Sequence, residues 1–283
     1  MTPTQQAFIR KQKQLIAKAQ KLDTQAIRDM YRLLREMRAE ITSRAAAVTG
    51  LSEYPNLKKD IAAQIEYFER QYTNIIHDYS GKAYQAGGEI IEAPLAATDT
   101  GKRLLNRLAV VDNSTLLVMN EYSADLVSNV SRDLLNKINN QILLGLQGGL
   151  PTNQIIQNIG TNIDKGVFKT SSLRAEFITR TEINRTLSTA QEIRTREIAN
   201  IEPQTKKYWL TANDNRVRQS HKDIGAATDP DKGGKPIGVN DDYDIDGSFA
   251  GYPHDPRLPA KESINCRCNN ILIIGDDLNG STY

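Results

Sequence analysis

Residues 171–212 read SSLRAEFITRTEINRTLSTAQEIRTREIANIEPQTKKYWLTA, and the change of texture within them decides the fold. Ser171-Ser172 reads as a helix cap, and the spacing predicts a helix from Leu173 to Ile198. Pro203 stops it. Tyr208-Trp209-Leu210 then reads as a short strand, and so does Asn270–Ile274 further on. Upstream of Pro203 apolar residues recur at helical steps. From Pro203 onward lie six of the ten prolines, in a loop-rich stretch. The expectation is a mainly α protein, an extended helical bundle or arm carrying a small C-terminal α+β module.

Towards the N-terminus the helical pattern repeats. Thr2-Pro3 opens a helix with Phe8, Leu15, Leu22, Ile27, Met30, Leu34, Met37 and Ile41 on one stripe, ended at Thr49-Gly50. Such a helix would reach roughly 70 Å and cannot bury its stripe alone. A second helix carries Leu57, Ile61, Ile65, Phe68, Tyr72 and Ile76 and closes at Gly87-Gly88. A third follows Asn113-Ser114, with Val130, Leu134, Ile138 and Ile142 on its stripe. The domains expected are a long basic helical arm over 1–50, a helical bundle over 51–203 and the α+β module over 204–283.

Composition narrows the function classes. The chain has 283 residues, 39% of them hydrophobic, with a mean hydropathy of −0.51. That share is low for a two-sided α/β core and suits helices with one buried stripe each. No run approaches the ~18 apolar residues of a membrane span, so no membrane partner is expected. The opening MTPTQQAFIRKQKQ lacks the apolar core of a secretory signal. Two cysteines cannot build a disulfide scaffold, which places synthesis in a reducing cytoplasm. The signatures GxxxxGK[ST], HExxH and GxSxG are absent, and a non-enzyme is expected. The first fifty residues hold ten basic and four acidic side chains. The basic ones are Arg10, Lys11, Lys13, Lys18, Lys21, Arg28, Arg32, Arg35, Arg38 and Arg44. They fit non-specific contacts to double-stranded DNA phosphates, or equally the solvated outside of a helix.

Three motifs stand in order in the last third. They are Phe177–Asn184 (FITRTEIN), Trp209-Leu210-Thr211-Ala212 with Arg218-Gln219-Ser220-His221 close behind, and Asn265-Cys266-Arg267-Cys268 before a final strand. This order resembles the phage Mu F-like family of head morphogenesis proteins, or minor capsid proteins, over roughly residues 140–275. Residues 1–110 carry no signature of that family. A D-G usually found shortly after the histidine is replaced here by Lys222-Asp223-Ile224-Gly225. Some relatives carry a toxin domain after the last strand; with fifteen residues following Cys268 here, none is expected.

The residues also have their own reading. Leu173, Phe177, Ile183, Leu187, Ala190 and Ile198 share one helical face, and Arg180, Asn184 and Gln191 fall on it too. Polar groups on an apolar stripe must be paired if buried, so these three are expected to form a polar network joining the helix to the C-terminal module. Glu182 falls on the opposite face, in reach of Arg185. Trp209, the only tryptophan, reads as a core anchor. Cys266 and Cys268 are two apart on an extended segment and face one way. With His221 and His254 they would make a Cys₂His₂ structural zinc site; the alternative is two packed thiols and a surface histidine. The aspartate-rich stretch Asp229–Asp246 lacks the ligand spacing of a calcium loop and reads as a solvated loop.

The resemblance implies a minor head protein of a tailed bacteriophage, located in the virion inside the head near the portal. Its partners would be the portal protein, through residues 51–150, and other head proteins. Its role would be head morphogenesis and DNA packaging or delivery. Two other readings stand beside it: a zinc-dependent nuclease or toxin-like hydrolase in the C-terminal module, and a DNA-binding adaptor using the basic arm.

Overall fold

The computed structural model describes residues 1–48, 50–109 and 112–274. Helices come first: α1 (Pro3–Ala19), α2 (Lys21–Ala46), α3 (Tyr54–Leu95), α4 (Asp99–Leu105), α5 (Ser114–Gln147), α6 (Thr152–Ile159) and α7 (Gly166–Ile201). The remainder is mixed: β1 (Lys206–Leu210), α8 (Gln219–Thr228), β2 (Ile237–Gly238), β3 (Tyr243–Ile245), β4 (Ser248–Ala250), α9 (Ala260–Ser263) and β5 (Asn269–Ile273). The protein is mainly α with a small C-terminal α+β region, as the sequence leads one to expect.

Local chemistry explains most boundaries and corrects several. Thr2 and Gln5 form a reciprocal cap at the start of α1, with backbone-to-side-chain bonds of 3.2 and 3.0 Å. The first helix is not continuous, because it turns at Gln20. Gly87-Gly88 does not end α3, which runs on to Leu95. Gly87 is there for closeness: a Cβ would collide with the Leu187 carbonyl oxygen and lie 2.7 Å from the Ala190 Cβ. Helix α7 starts at Gly166, in the left-handed region at φ 58°, not after a serine cap. Ser172 lies within the helix and donates to the Ile163 and Lys169 carbonyls, both at 3.0 Å.

The chain divides into two compact units, and the divisions do not fall at 50 and 203. One unit comprises 24–78 and 118–179, the other 1–23, 79–117 and 180–283. Helices α2, α3, α5 and α7 each contribute residues to both.

The unit of 24–78 and 118–179 is a helical core built from the expected stripes. Met30, Leu34 and Ile41 of α2 meet Ile61, Phe68, Tyr72 and Ile76 of α3 and Val127, Leu134 and Ile138 of α5. Each such side chain, fully buried, gains roughly 1.5–3 kcal/mol. The α7 face used here is Phe168, Ser172, Ala175 and Thr179, at steps of four, three and four. Leu173 and Phe177, expected on the buried face, are 44% and 42% exposed. The true stripe is half polar, so hydrophobicity alone does not reveal it. Tyr72 completes it by donating to the Ala175 carbonyl at 2.7 Å.

The other unit holds an antiparallel sheet in the order β2-β1-β5. Lys207 of β1 pairs with Leu272 of β5. On the outer edge of β5 lies α1, not another strand. Gln12 Nε2 donates to the Leu272 carbonyl at 2.8 Å, and its Oε1 accepts the Leu272 N–H at 3.0 Å. Gln5 donates to the Ile274 carbonyl at 2.9 Å, and Gln20 to that of Arg267 at 3.0 Å. From α7, Gln191 donates to the Asn270 carbonyl at 2.6 Å. Asn270, Leu272 and Ile274 are alternate residues, whose backbone groups face the same side of the strand. The lengths match as well. Gln5 to Gln20 rises about 22 Å along a helix. Residues 274 to 267, if extended, cover about 23 Å. The N-terminal helix therefore belongs to the C-terminal module, which extends beyond residues 204–283.

Tyr243 pairs with Ala250 across a hairpin turned by Asp246 and Gly247, both at positive φ (53° and 78°). The aspartates around it serve the backbone and one arginine. Asp244 accepts from the Gly247 N–H at 2.8 Å and Asp241 from the Gly238 N–H at 2.9 Å. Asp242 takes Arg257 with two bonds, at 2.7 and 2.8 Å.

Replacing Gln12 by Ala leaves the Leu272 N–H and carbonyl unmet. At about 1–3 kcal/mol per unmet buried group, the loss should be about 2–6 kcal/mol in urea unfolding. Amide exchange at Leu272 should rise with it. Gln14→Ala, at an exposed neighbour, should stay within about 0.5 kcal/mol.

Candidate metal centre

Helix α8 begins after Arg218, which is extended (φ −60°, ψ 152°), so His221 lies in the first turn with its ring facing inward, 1% exposed. The opposing segment is Asn265-Cys266-Arg267-Cys268, the approach to β5. Asn265 sits in the left-handed region at φ 61°. Its N–H donates to Thr181 Oγ1 at 2.9 Å, and its Oδ1 accepts from Arg180 at 2.6 Å. This anchored turn directs both cysteine side chains into the core, each 3% exposed.

The result is a compact donor set. His221 Nδ1 lies 3.6 Å from Cys266 Sγ and 3.4 Å from Cys268 Sγ. One ligand atom from each of the three residues lies within 4.8 Å of the others. The other ring nitrogen, Nε2, is 3.1 Å from Glu262 Oε2. Glu262 is itself buried and accepts from Ser220 Oγ at 2.9 Å. Trp209 packs edge-on to the His221 ring at 5.2 Å and to the Tyr243 ring at the same distance.

The two thiols are unequal. A hydrogen bond to Cys268, then burial, pushes Cys266 well up. The hydrogen bond from Cys266, helped by His221, pulls Cys268 well down. The pair holds one proton more readily than two. Both cysteines are free thiols.

His254, the fourth residue expected here, is not brought into the set. It is fully buried, at positive φ (67°), and neither ring nitrogen has a hydrogen-bond partner of ordinary geometry. Burial first, then the Arg185 guanidinium, holds its imidazole down at about 3, so the ring is neutral.

Arg180, Asn184 and Gln191 all reach across α7. Arg180 bonds Asn265 and lies 3.5 Å from Asp23. Asn184 donates to Asp23 at 3.2 Å. Gln191 meets the edge of β5. Glu182 is not on a solvated face: it is 2% exposed and pairs with Arg185 at 3.0 Å. From residue 181 onward α7 is buried on most sides, so no one-sided stripe describes it.

The ten basic residues of α1 and α2 separate into two groups. Lys13 pairs with Asp231, Arg32 with Asp29, and Arg44 with Glu40 and Asp60. Arg38 donates to the Thr161 carbonyl at 2.8 Å. Arg10, Lys11, Lys18, Lys21, Arg28 and Arg35 are exposed and make no ion pair among the described residues.

Sequence reasoning missed Glu262, Thr181, Asp23 and Gln12. Glu262 had a local signal, since it lies four residues before Cys266. Asp23 and Gln12 had none, because their partners lie 161 and 260 residues away.

Arg180→Ala should destabilise the protein by about 1–3 kcal/mol, since it removes charged hydrogen bonds from a buried aspartate and from the turn that carries Cys266. Arg180→Lys should recover only part of this, because the ammonium lacks the planar fork. Thermal unfolding of the two variants provides the measurement.

The helix of Arg180, the Trp209 strand, the His221 turn and the Cys266–Cys268 approach thus converge on one region. Neither a curated protein nor a solved structure matches the chain. Residues 136–271 match the family model described as Phage Mu protein F like protein. That stretch is just under half of the chain, and over it the chain is similar to the phage Mu protein F-like family.

Proposed function

We propose that this protein is a minor head protein of a tailed bacteriophage, built into the head near the portal vertex, where it acts in head morphogenesis and DNA packaging or delivery. The observation that carries this reading is the family match over residues 136–271. Among the described residues no helix is long and apolar enough to cross a membrane, which fits a virion component. The Cys–His cluster is closed off in the core, whereas a hydrolytic zinc needs an open position, so the structural role is favoured over a nuclease.

The portal is the proposed partner. Leu117, Val118 and Tyr122 on α5 are 67%, 66% and 49% exposed, an apolar group that a partner would cover. DNA is the proposed second partner, through the six unpaired basic residues of α1 and α2.

Localised reconstruction of intact particles should place the chain at the portal vertex in low copy number. Finding it as a shell subunit in hundreds of copies would overturn the reading. Portal protein should co-purify with the wild-type chain and be lost with Val118→Asp. Any DNA affinity should fall steeply between about 50 and 200 mM salt, with a log–log slope near −0.9 per phosphate neutralised. Binding insensitive to salt would remove DNA from the partners.

A further inference from the structure

We infer that His221, Cys266 and Cys268 bind one zinc ion, that Glu262 orients the histidine for it, and that the ion fastens α8 to the approach of β5. The inference is independent of the head role.

The orientation of His221 is the first argument. Glu262 Oε2 lies 3.1 Å from Nε2, behind the ring, without the alignment of a hydrogen bond. Nδ1 is the nitrogen that faces the two sulfurs, at 3.4 and 3.6 Å. A carboxylate behind a histidine whose other nitrogen faces soft donors is the arrangement that metal-ligating histidines use.

Charge is the second argument. Glu262, Cys266 and Cys268 are all buried and surround one imidazole. Zinc takes its cysteine ligands as thiolates, and a dication offsets the thiolate charge that a core of low dielectric would otherwise disfavour. Binding takes up the ion and releases whatever thiol protons remain. The sulfur-rich set selects zinc over magnesium or calcium.

Need is the third argument. The apolar cluster around the site consists of Trp209, Tyr243, Ile245, Ala250, Leu258 and the two cysteines, with Ile224 and Ile237 at its margin. A core this small gains most from a staple. Closure on every side makes the ion's role structural.

The test uses the full-length protein, purified under reducing conditions without chelator. Metal analysis should find about one zinc per chain. Chelation should lower the melting temperature and change the emission of Trp209, the only tryptophan, whose ring is 5.2 Å from His221. Cobalt(II) added to the metal-free protein should give thiolate-to-metal charge-transfer bands and quench that emission. Glu262→Gln should keep the zinc with affinity reduced about 10–100-fold. Cys268→Ser should lose it. Since loss of zinc and loss of the fold coincide in an unfolded variant, the cobalt titration of the wild type decides. Less than about 0.2 zinc per chain with both thiols reduced, together with no charge-transfer band, would overturn the inference. So would equal zinc in a folded Cys266→Ser/Cys268→Ser variant.

Discussion

A sheet edge inside a folded protein needs partners for its backbone groups, and the architecture of the C-terminal module depends on how β5 obtains them. Among the described residues no further strand is supplied. Gln12 presents an amide that imitates one peptide unit, giving and taking one hydrogen bond at Leu272. Gln5, Gln20 and Gln191 supply donors on either side. Once these bonds are required, α1 must lie along β5 and α7 must cross beside it. Cys268 then lies between the two anchored carbonyls of Arg267 and Asn270, with Cys266 just before the first of them. The same requirement puts glutamine, an unremarkable surface residue in most helices, at 0% exposure in α1.

The second half of α7 follows a similar logic. It is surrounded, so it cannot be amphipathic. Thr181, Asn184, Gln191 and Arg194 are buried together with Ile183 and Leu187, and each of these four side chains makes at least one hydrogen bond to another segment. Arg194, for example, lies against Glu92 and donates to the Ala109 carbonyl at 2.8 Å. Gly87 lets α3 come against this helix at the distance such short side chains need.

Much of the helical core was legible in the sequence, because Met30, Leu34, Ile61, Phe68, Leu134 and Ile138 recur at helical steps and are buried where that period puts them. So were Trp209 as an anchor and His221 beside the two cysteines. What the pattern could not yield was of two kinds. Contacts of long sequence separation, such as Gln12 with Leu272, leave no local periodicity. Polar burial, as at Glu182 and Ser172, inverts the rule that polar residues mark the solvent face. The domain boundaries were drawn from local cues of the same kind: a proline and a change of texture mark the end of a helix, not the limit of what that helix packs into.

The glutamine-bound edge also sets an order of events during synthesis. The last partner of α1 is made about 250 residues after it. At roughly 5–20 residues per second, α1 waits roughly 10–50 s with Phe8, Ile9 and Ile16 uncovered. The residues of the other unit, 24–78 and 118–179, have all been made well before β5. Nascent chains of this protein therefore pass through a stage in which one unit can close while the other still holds an unpaired apolar helix. That stage is a natural target for chaperones, and a point at which the same helix could pair with the β5 of a second chain.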